Sequence, residues 1–146
     1  MCNIIKDIVA RVEYGKLVIE HTQDECDDFS YEIKIGESCY IEQLGYTVET
    51  AYANCRENDG AEYFSIPDGE DTVTVTNRRA GDSFVPSGMT GTKTVKDYMI
   101  NEKIPKPMRS RTGILRIGGS IAWIIGHRRD ERFKFHKNGI KIKIVY

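Results

Sequence analysis

The sequence has no apolar run near the roughly 20 residues needed to cross a bilayer; its longest, "IAWII" at 121–125, falls far short. The opening "MCNIIKDIVARVE" lacks the basic, apolar and small-residue zones of a secretion signal, so a soluble cytoplasmic protein with no membrane partner is expected. Cysteine is sparse. Cys2, Cys26, Cys39 and Cys55 show no CxxC or CxxH spacing, which argues against a zinc site, and a chain of 146 residues needs no disulfide framework, so reduced packing thiols are expected. Histidine is equally thin: His127 beside "RRDE" and His136 after "FKF" have no second ligand or nucleophile at a recognisable interval. Residues 72–146 contain no paired carboxylates, serine elbow or cysteine-histidine signature, so no catalytic residue and no metal ligand is assigned.

What is present is charge of opposite sign in the two halves. Residues 1–71 carry 5 Lys/Arg against 17 Asp/Glu, a difference of −12, whereas 72–146 carry 16 against 5, a difference of +11. A basic half of this kind fits a polyanion-binding surface, because cations along one face neutralise phosphates and release their counterions. It also fits two domains, or a domain and a partner, docked through opposite charge. The charge reversal divides the chain into an acidic strand-rich subdomain, 1–71, and a basic C-terminal α+β domain, 72–146.

The expected fold class is α+β, mostly antiparallel β with a few short helices. "IVARVEYGKLVIEH" reads as two strands about Tyr14 and Gly15, a preferred reading over a helical stripe through Ile4, Ile5, Ile8, Val9 and Val12. "DECDD" at 24–28 reads as a solvated loop, since it lacks the spaced ligands and glycine of a calcium loop. "SYEIKI", "SCYI", "GYTVETAYAN", "EYFSI" and "TVTVTN" continue the strand pattern. Thr94 and Asp97 have capping-box spacing, so a helix should start there, bury Val95, Tyr98 and Met99, show Lys93, Lys96 and Lys103 on one outer side, and stop by Pro105. "KPMRSR" is a turn or short helix, "GILRI" and "SIAWIIG" form a hairpin about Gly118 and Gly119 with Trp123 in the core, and "GIKIKIVY" is a strand. Lys141 and Lys143 there suggest an exposed edge guarded against aggregation.

The stretch "NRRAGDSFVPSGMTGTKTVKDY", 77–98, fails as an ATP loop, because a P-loop needs lysine directly after glycine and Thr92 separates Gly91 from Lys93. It suits phosphate in another way. Backbone N–H groups in glycine turns and near Thr94 can point at a phosphate, Lys93 and Lys96 add charge, and Arg78 and Arg79 can bond phosphates bidentately. Asp82 is read as a clamp that accepts loop N–H groups or orients one of the arginines. Folded RNA is the natural partner, because A-form helices are read through shape, phosphates and 2′-hydroxyls.

The run Arg78, Arg79, Gly81, Asp82, Phe84, Pro86, Gly88, Met89, Gly91, Lys93, Lys96 and Asp97 resembles, in order and spacing, the C-terminal region of the bacterial tRNA(Ile)-lysidine synthetase family. The resemblance extends through "IPKPMRSR" to "IAWIIGHRRDERFK" and takes in the strand-rich first half. It implies a tRNA-binding module of an ATP-dependent ligase that joins lysine to the wobble cytidine of an isoleucine tRNA. The implied partners are tRNA(Ile), at its acceptor stem, and the N-terminal catalytic domain of the same enzyme. That catalytic domain carries an SGGxDS loop, a motif this chain does not contain, so ATP and magnesium are expected there and no cofactor here. The resemblance also implies an α+β fold shared with a domain of the phenylalanyl-tRNA synthetase β chain. Arg78, Arg79, Lys93 and Lys96 match basic positions of the motif, and Arg109 and Arg111 follow it; these six are the candidate RNA contacts. Gly81, Asp82, Pro86, Gly88 and Gly91 shape the loop, whereas Arg128 and Arg129 depart from the expected pattern.

Overall fold

The computed structural model describes residues 8–13, 16–21 and 28–146. The expected Tyr14–Gly15 turn, residues 24–27 of the acidic run, Cys2 and Cys26 lie outside the described residues. Strands β1 (Ile8–Glu13) and β2 (Lys16–His21) pair antiparallel with Glu13 opposite Lys16, the register a two-residue connection requires.

From residue 28 onward, alternation of branched or aromatic residues with polar ones produces the strands of two sheets. One contains β3 (Ser30–Lys34), β7 (Thr72–Thr76), β10 (Ile114–Ile117) and β11 (Ser120–Ile124), in the spatial order β11-β10-β7-β3. The other contains β4 (Ser38–Ile41), β5 (Tyr46–Ala53), β6 (Glu62–Phe64) and β12 (Gly139–Val145), in the order β4-β5-β12-β6. All pairings are antiparallel. The core between the sheets joins Ile33, Val73, Val75, Leu115 and Ile117 of the first to Ile41, Val48, Phe64, Ile140 and Ile142 of the second. Trp123 lies in this core against Phe64, their ring centroids 5.6 Å apart.

A second core seats the helical part on the outer side of the first sheet. The short strands β8 (Ser83–Phe84) and β9 (Lys93–Thr94) lead into α1 (Val95–Asn101), which is followed by α2 (Lys106–Arg109). Val95, Tyr98 and Met99 of α1 pack with Phe84, Ile104, Ile114, Ile121 and Ile124. The rings of Phe84 and Tyr98 meet edge to face at 5.4 Å, and complete burial of Phe84 contributes about 1.5–3 kcal/mol. Thus β10 and β11 are covered on both faces.

The expected elements match, but two relations between them differ from the sequence reading. The charge boundary at residue 71 is not a boundary between sheets: β7, β10 and β11 pair alongside β3, and β12 pairs with β5 and β6. Nor is β12 an edge strand. It lies between β5 and β6, and Lys141 is accommodated there because its ammonium meets Asp59 Oδ2 at 3.0 Å and Glu57 Oε2 at 3.8 Å. Lys143 lies beyond the register of β6 and is exposed. Among the described residues, Cys39 and Cys55 are free thiols, and no helix is long and apolar enough to cross a membrane.

Two measurements test this arrangement. A Cβ on Gly139 would lie 2.0 Å from the Phe64 carbonyl oxygen, so Gly139→Ala must force β12 away from β6; a loss of about 3 kcal/mol is expected in denaturant unfolding. The Lys141 hydrogen bond, aided by the Ala61 N–H and the Tyr63 hydroxyl, lowers the Asp59 pKa from 3.8 to about 2 despite an opposing effect of burial. Since the folded value is the lower one, the stabilisation is complete above the unfolded value of 3.8 and disappears as pH falls through about 2. Carboxyl-carbon NMR should show that midpoint, and Lys141→Met should return it toward 3.8.

Candidate nucleic-acid interface

Residues 77–94 leave β7, cross the end of the first sheet and enter α1, and three sets of polar contacts hold this path. The first set is at its start. Buried Asn77 accepts the Phe29 N–H at 3.4 Å, and the Arg79 guanidinium donates to the Phe29 carbonyl at 2.8 Å and to Asn77 Oδ1. Asp28 stands 3.5 Å from the same guanidinium. Arg79, a candidate phosphate ligand, is thereby directed inward onto residues 28, 29 and 77.

The second set centres on Asp82. Its carboxylate accepts the Arg79 N–H at 2.7 Å and takes Arg116 of β10 in a two-point grip, Nη1 to Oδ1 at 3.1 Å and Nη2 to Oδ2 at 2.5 Å. Arg116 Nε donates to Thr76 Oγ1 at 3.0 Å, and the Asp82 carbonyl accepts the Val95 N–H at 2.9 Å. One residue therefore joins the loop, the sheet and the first turn of α1. The clamp role expected of Asp82 takes this form, but the arginine it orients is Arg116, which the sequence reading did not single out.

The third set fixes the far side of the loop to residues 128–131. Asp130, whose side chain is fully buried, accepts the Val85 N–H at 2.9 Å, the Arg132 N–H at 2.7 Å and the Arg132 guanidinium at 2.8 and 3.0 Å. These bonds raise the Arg132 pKa above its ordinary value. The Arg128 guanidinium donates to the Ser87 carbonyl at 2.7 Å, and the Gly88 N–H donates to Glu131 Oε1 at 2.8 Å. Pro86 is buried and forms a β-bridge with Asp130. Gly88 occupies the third position of the Pro86–Met89 turn with φ 82°, a conformation that side chains with a Cβ adopt at a cost. Gly91, by contrast, has neither a left-handed backbone nor a neighbour within 4 Å of an added Cβ, so no steric demand for glycine is evident there.

The remaining cations are displayed on this frame. Arg78 is half-buried, and its guanidinium makes no ion pair or hydrogen bond among the described residues. Lys93, half-buried in β9 opposite Phe84, and exposed Lys96, in the first turn of α1, have no ion-pair partner among the described residues. The common helical side expected for Lys93, Lys96 and Lys103 does not form, because Lys93 precedes the helix and Lys103 follows it at φ 58°. Thr94 caps α1, accepting the Asp97 N–H at 3.1 Å, as its spacing predicts. Arg109 Nε is committed to the Ile104 carbonyl at 3.0 Å, which ties α2 to the end of α1, while Arg111 is exposed.

A cleft of about 330 Å³ opens beside the loop, lined by Ser87, Gly88, Arg129, Glu131 and Lys134 and, from the acidic half, Arg56 and Tyr63. Arg56 stacks over the rings of Tyr63 and Phe135, at 5.5 and 6.0 Å from their centroids. Arg129 stands 3.4 Å from Glu62, and His127 meets the edge of Tyr98 at 6.4 Å. Among the described residues, no cluster of His, Cys, Asp and Glu is suited to hold a metal. Arg56 had no signal of its own in the sequence, since it lies in the β5–β6 connection, and β6 meets residues 133 and 134 through the Phe64–Lys134 bridge and the Ser65 N–H bond to the Phe133 carbonyl.

The two-point pair at Asp82 gives a direct test, because its side chains are 12% and 14% exposed. Asp82→Ala should cost about 3 kcal/mol by stranding the Arg116 charge, and adding Arg116→Met should recover part of that loss in a double-mutant cycle read by urea unfolding.

The comparisons with known proteins agree with this frame. The sequence profile of the TilS substrate C-terminal domain matches residues 73–146. The tRNA(Ile)-lysidine synthase of Caldanaerobacter subterraneus subsp. tengcongensis is 32% identical over 95% of this chain, and that of Persephonella marina 33% identical over 88%. The chain spans only 31% and 30% of those two relatives. A solved structure described as the crystal structure of the TILS C-terminal domain superposes with a TM-score of 0.67 at 22% identity, over 82% of this chain and 97% of that one, and shares its mostly antiparallel fold. With its matched profile spanning the clamped loop, α1, β10, β11 and β12, the chain belongs to the TilS substrate C-terminal domain family.

Proposed function

We propose that this chain is the tRNA-binding and substrate-recognition module of a tRNA(Ile)-lysidine synthetase, contributing affinity and substrate choice rather than bond chemistry. The observation that carries this reading is the set Arg78, Lys93 and Lys96: cations without an ion-pair partner among the described residues, held on a loop fixed by Asp82 and Asp130. A rigid array of this kind loses little freedom on meeting a phosphate backbone and carries no base-specific demand, which suits recognition of a folded RNA by shape. The acceptor stem of tRNA(Ile) is the proposed contact. Lysine ligation to the wobble cytidine, with ATP and magnesium, is assigned to a catalytic domain outside these residues, in a cytoplasmic enzyme.

A second reading, that the two charge blocks serve docking, draws on the ion pairs that cross residue 71: Arg79 with Asp28, Arg129 with Glu62, and Lys141 with Asp59 and Glu57. It accounts for those cations and leaves Arg78, Lys93 and Lys96 unexplained.

Titration of isoleucine tRNA against elongator methionine tRNA at several salt concentrations separates the readings. Neutralisation of about 4 phosphates gives a slope of log K against log[salt] of roughly −3 to −4, and the combined Lys93→Ala and Lys96→Ala substitutions should flatten it by about 2. Binding indifferent to salt, or to both lysines, would overturn the RNA reading.

A further inference from the structure

The cleft between the Pro86–Met89 turn and residues 129–134 combines features that the loop cations do not explain. Three cations line it: Arg56, Arg129 and Lys134. Arg129 is shared with Glu62 at the rim, both side chains being over one-third exposed, whereas Arg56 and Lys134 have no carboxylate partner among the described residues. Asp130, the other acid in the wall, is buried and already satisfied by Arg132 and by backbone N–H groups. Glu131 is then the accessible carboxylate in the cleft wall, and its Oε1 accepts the Gly88 N–H at 2.8 Å.

A carboxylate taking a backbone N–H has the acceptor chemistry of a phosphate oxygen, and in a cleft lined by three cations the two anions compete for the Gly88 donor. Glu131 is only half-buried and stays bound through one exposed hydrogen bond, so it can leave for water without disturbing Asp130. Tyr63 and Phe135 hold the Arg56 guanidinium at the cleft wall through their ring faces, which leaves its edge donors for an incoming anion.

We propose that this cleft is a subsite for one phosphodiester of a bound RNA, occupied in the free protein by the Glu131 carboxylate, which RNA displaces. The inference rests on the RNA-binding reading above and adds to it a residue that sets affinity by competition. Polyanions that cannot present a phosphate to Gly88, Arg56 and Lys134 together must bind without displacing Glu131, so the resident carboxylate favours the RNA geometry that reaches all three.

Glu131→Gln removes the charge and keeps an oxygen for the Gly88 N–H. It should tighten tRNA binding at least about threefold at low salt, because a like charge facing the phosphate is gone. In an Arg56→Gln, Lys134→Gln background, binding should weaken, the salt slope should flatten by about 2, and Glu131→Gln should no longer tighten it. A loop merely loosened by the substitution would weaken binding, so the sign of the change separates competition from damage. Inorganic phosphate, followed through the Gly88 amide by nitrogen-15 NMR, gives a second readout, with the variant expected to respond at lower phosphate than the parent. Salt-dependent tRNA binding that ignores Glu131→Gln sinks the subsite and spares the RNA reading. Loss of salt-dependent binding in the parent protein sinks the RNA reading, and the Gly88 amide then decides the subsite alone.

Discussion

The pair between Asp82 and Arg116 is the constraint on which the rest of the basic half depends. Arg116 belongs to β10, the strand covered on both faces, so its guanidinium is as fixed as the sheet itself. By gripping that group, Asp82 transfers the position of the sheet to the Arg79 backbone on one side and to the start of α1 on the other. A charge pair this enclosed is poor evidence of stability in itself, because both ions lose water. Its value is geometric: the planar, two-point match sets where the chain turns, and the unpaired cations on either side of the turn, Arg78 and Lys93, inherit that direction.

Asp130 does the equivalent work at the far end, and the two carboxylates divide the arginines of this region into two kinds. Arg79, Arg116, Arg128 and Arg132 have donors committed to holding the chain, whereas Arg78 and the lysines near α1 are displayed. The net positive charge of residues 72–146 thus overstates what a partner can meet. Several of those charges are mortar within the fold, and some are spent against the acidic half through Asp28, Glu62 and Asp59.

Local pattern made much of this legible. The period-two alternation of "TVTVT" and "GIKIKIV", the paired glycines at 118 and 119, and the Thr94–Asp97 spacing each act over a few residues, and each appears where it points. What stayed hidden depends on partners far along the chain. Lys141 reads as an edge guard because its carboxylate, Asp59, is 82 residues away. Arg79 reads as a phosphate ligand because the Phe29 carbonyl it caps is 50 residues upstream. Arg56 in a run of acids has no neighbour in sequence to suggest a basic cleft. Charge patterns report composition, but which charges are spent is decided by sheet order, and sheet order is not a local property.

That order also bears on how the chain reaches its fold. β12 is the last of the described strands to leave a ribosome, yet it enters between β5 and β6, and Ile140 and Ile142 complete the core between the sheets. Until residue 145 has been made, β5 and β6 each present an unpaired edge along the side that β12 will fill. Such long-range closure slows folding and leaves a nascent sheet open to wrong strands, so the chain is most vulnerable in the interval after β5 and β6 have emerged and before Gly139–Val145 can pair with them.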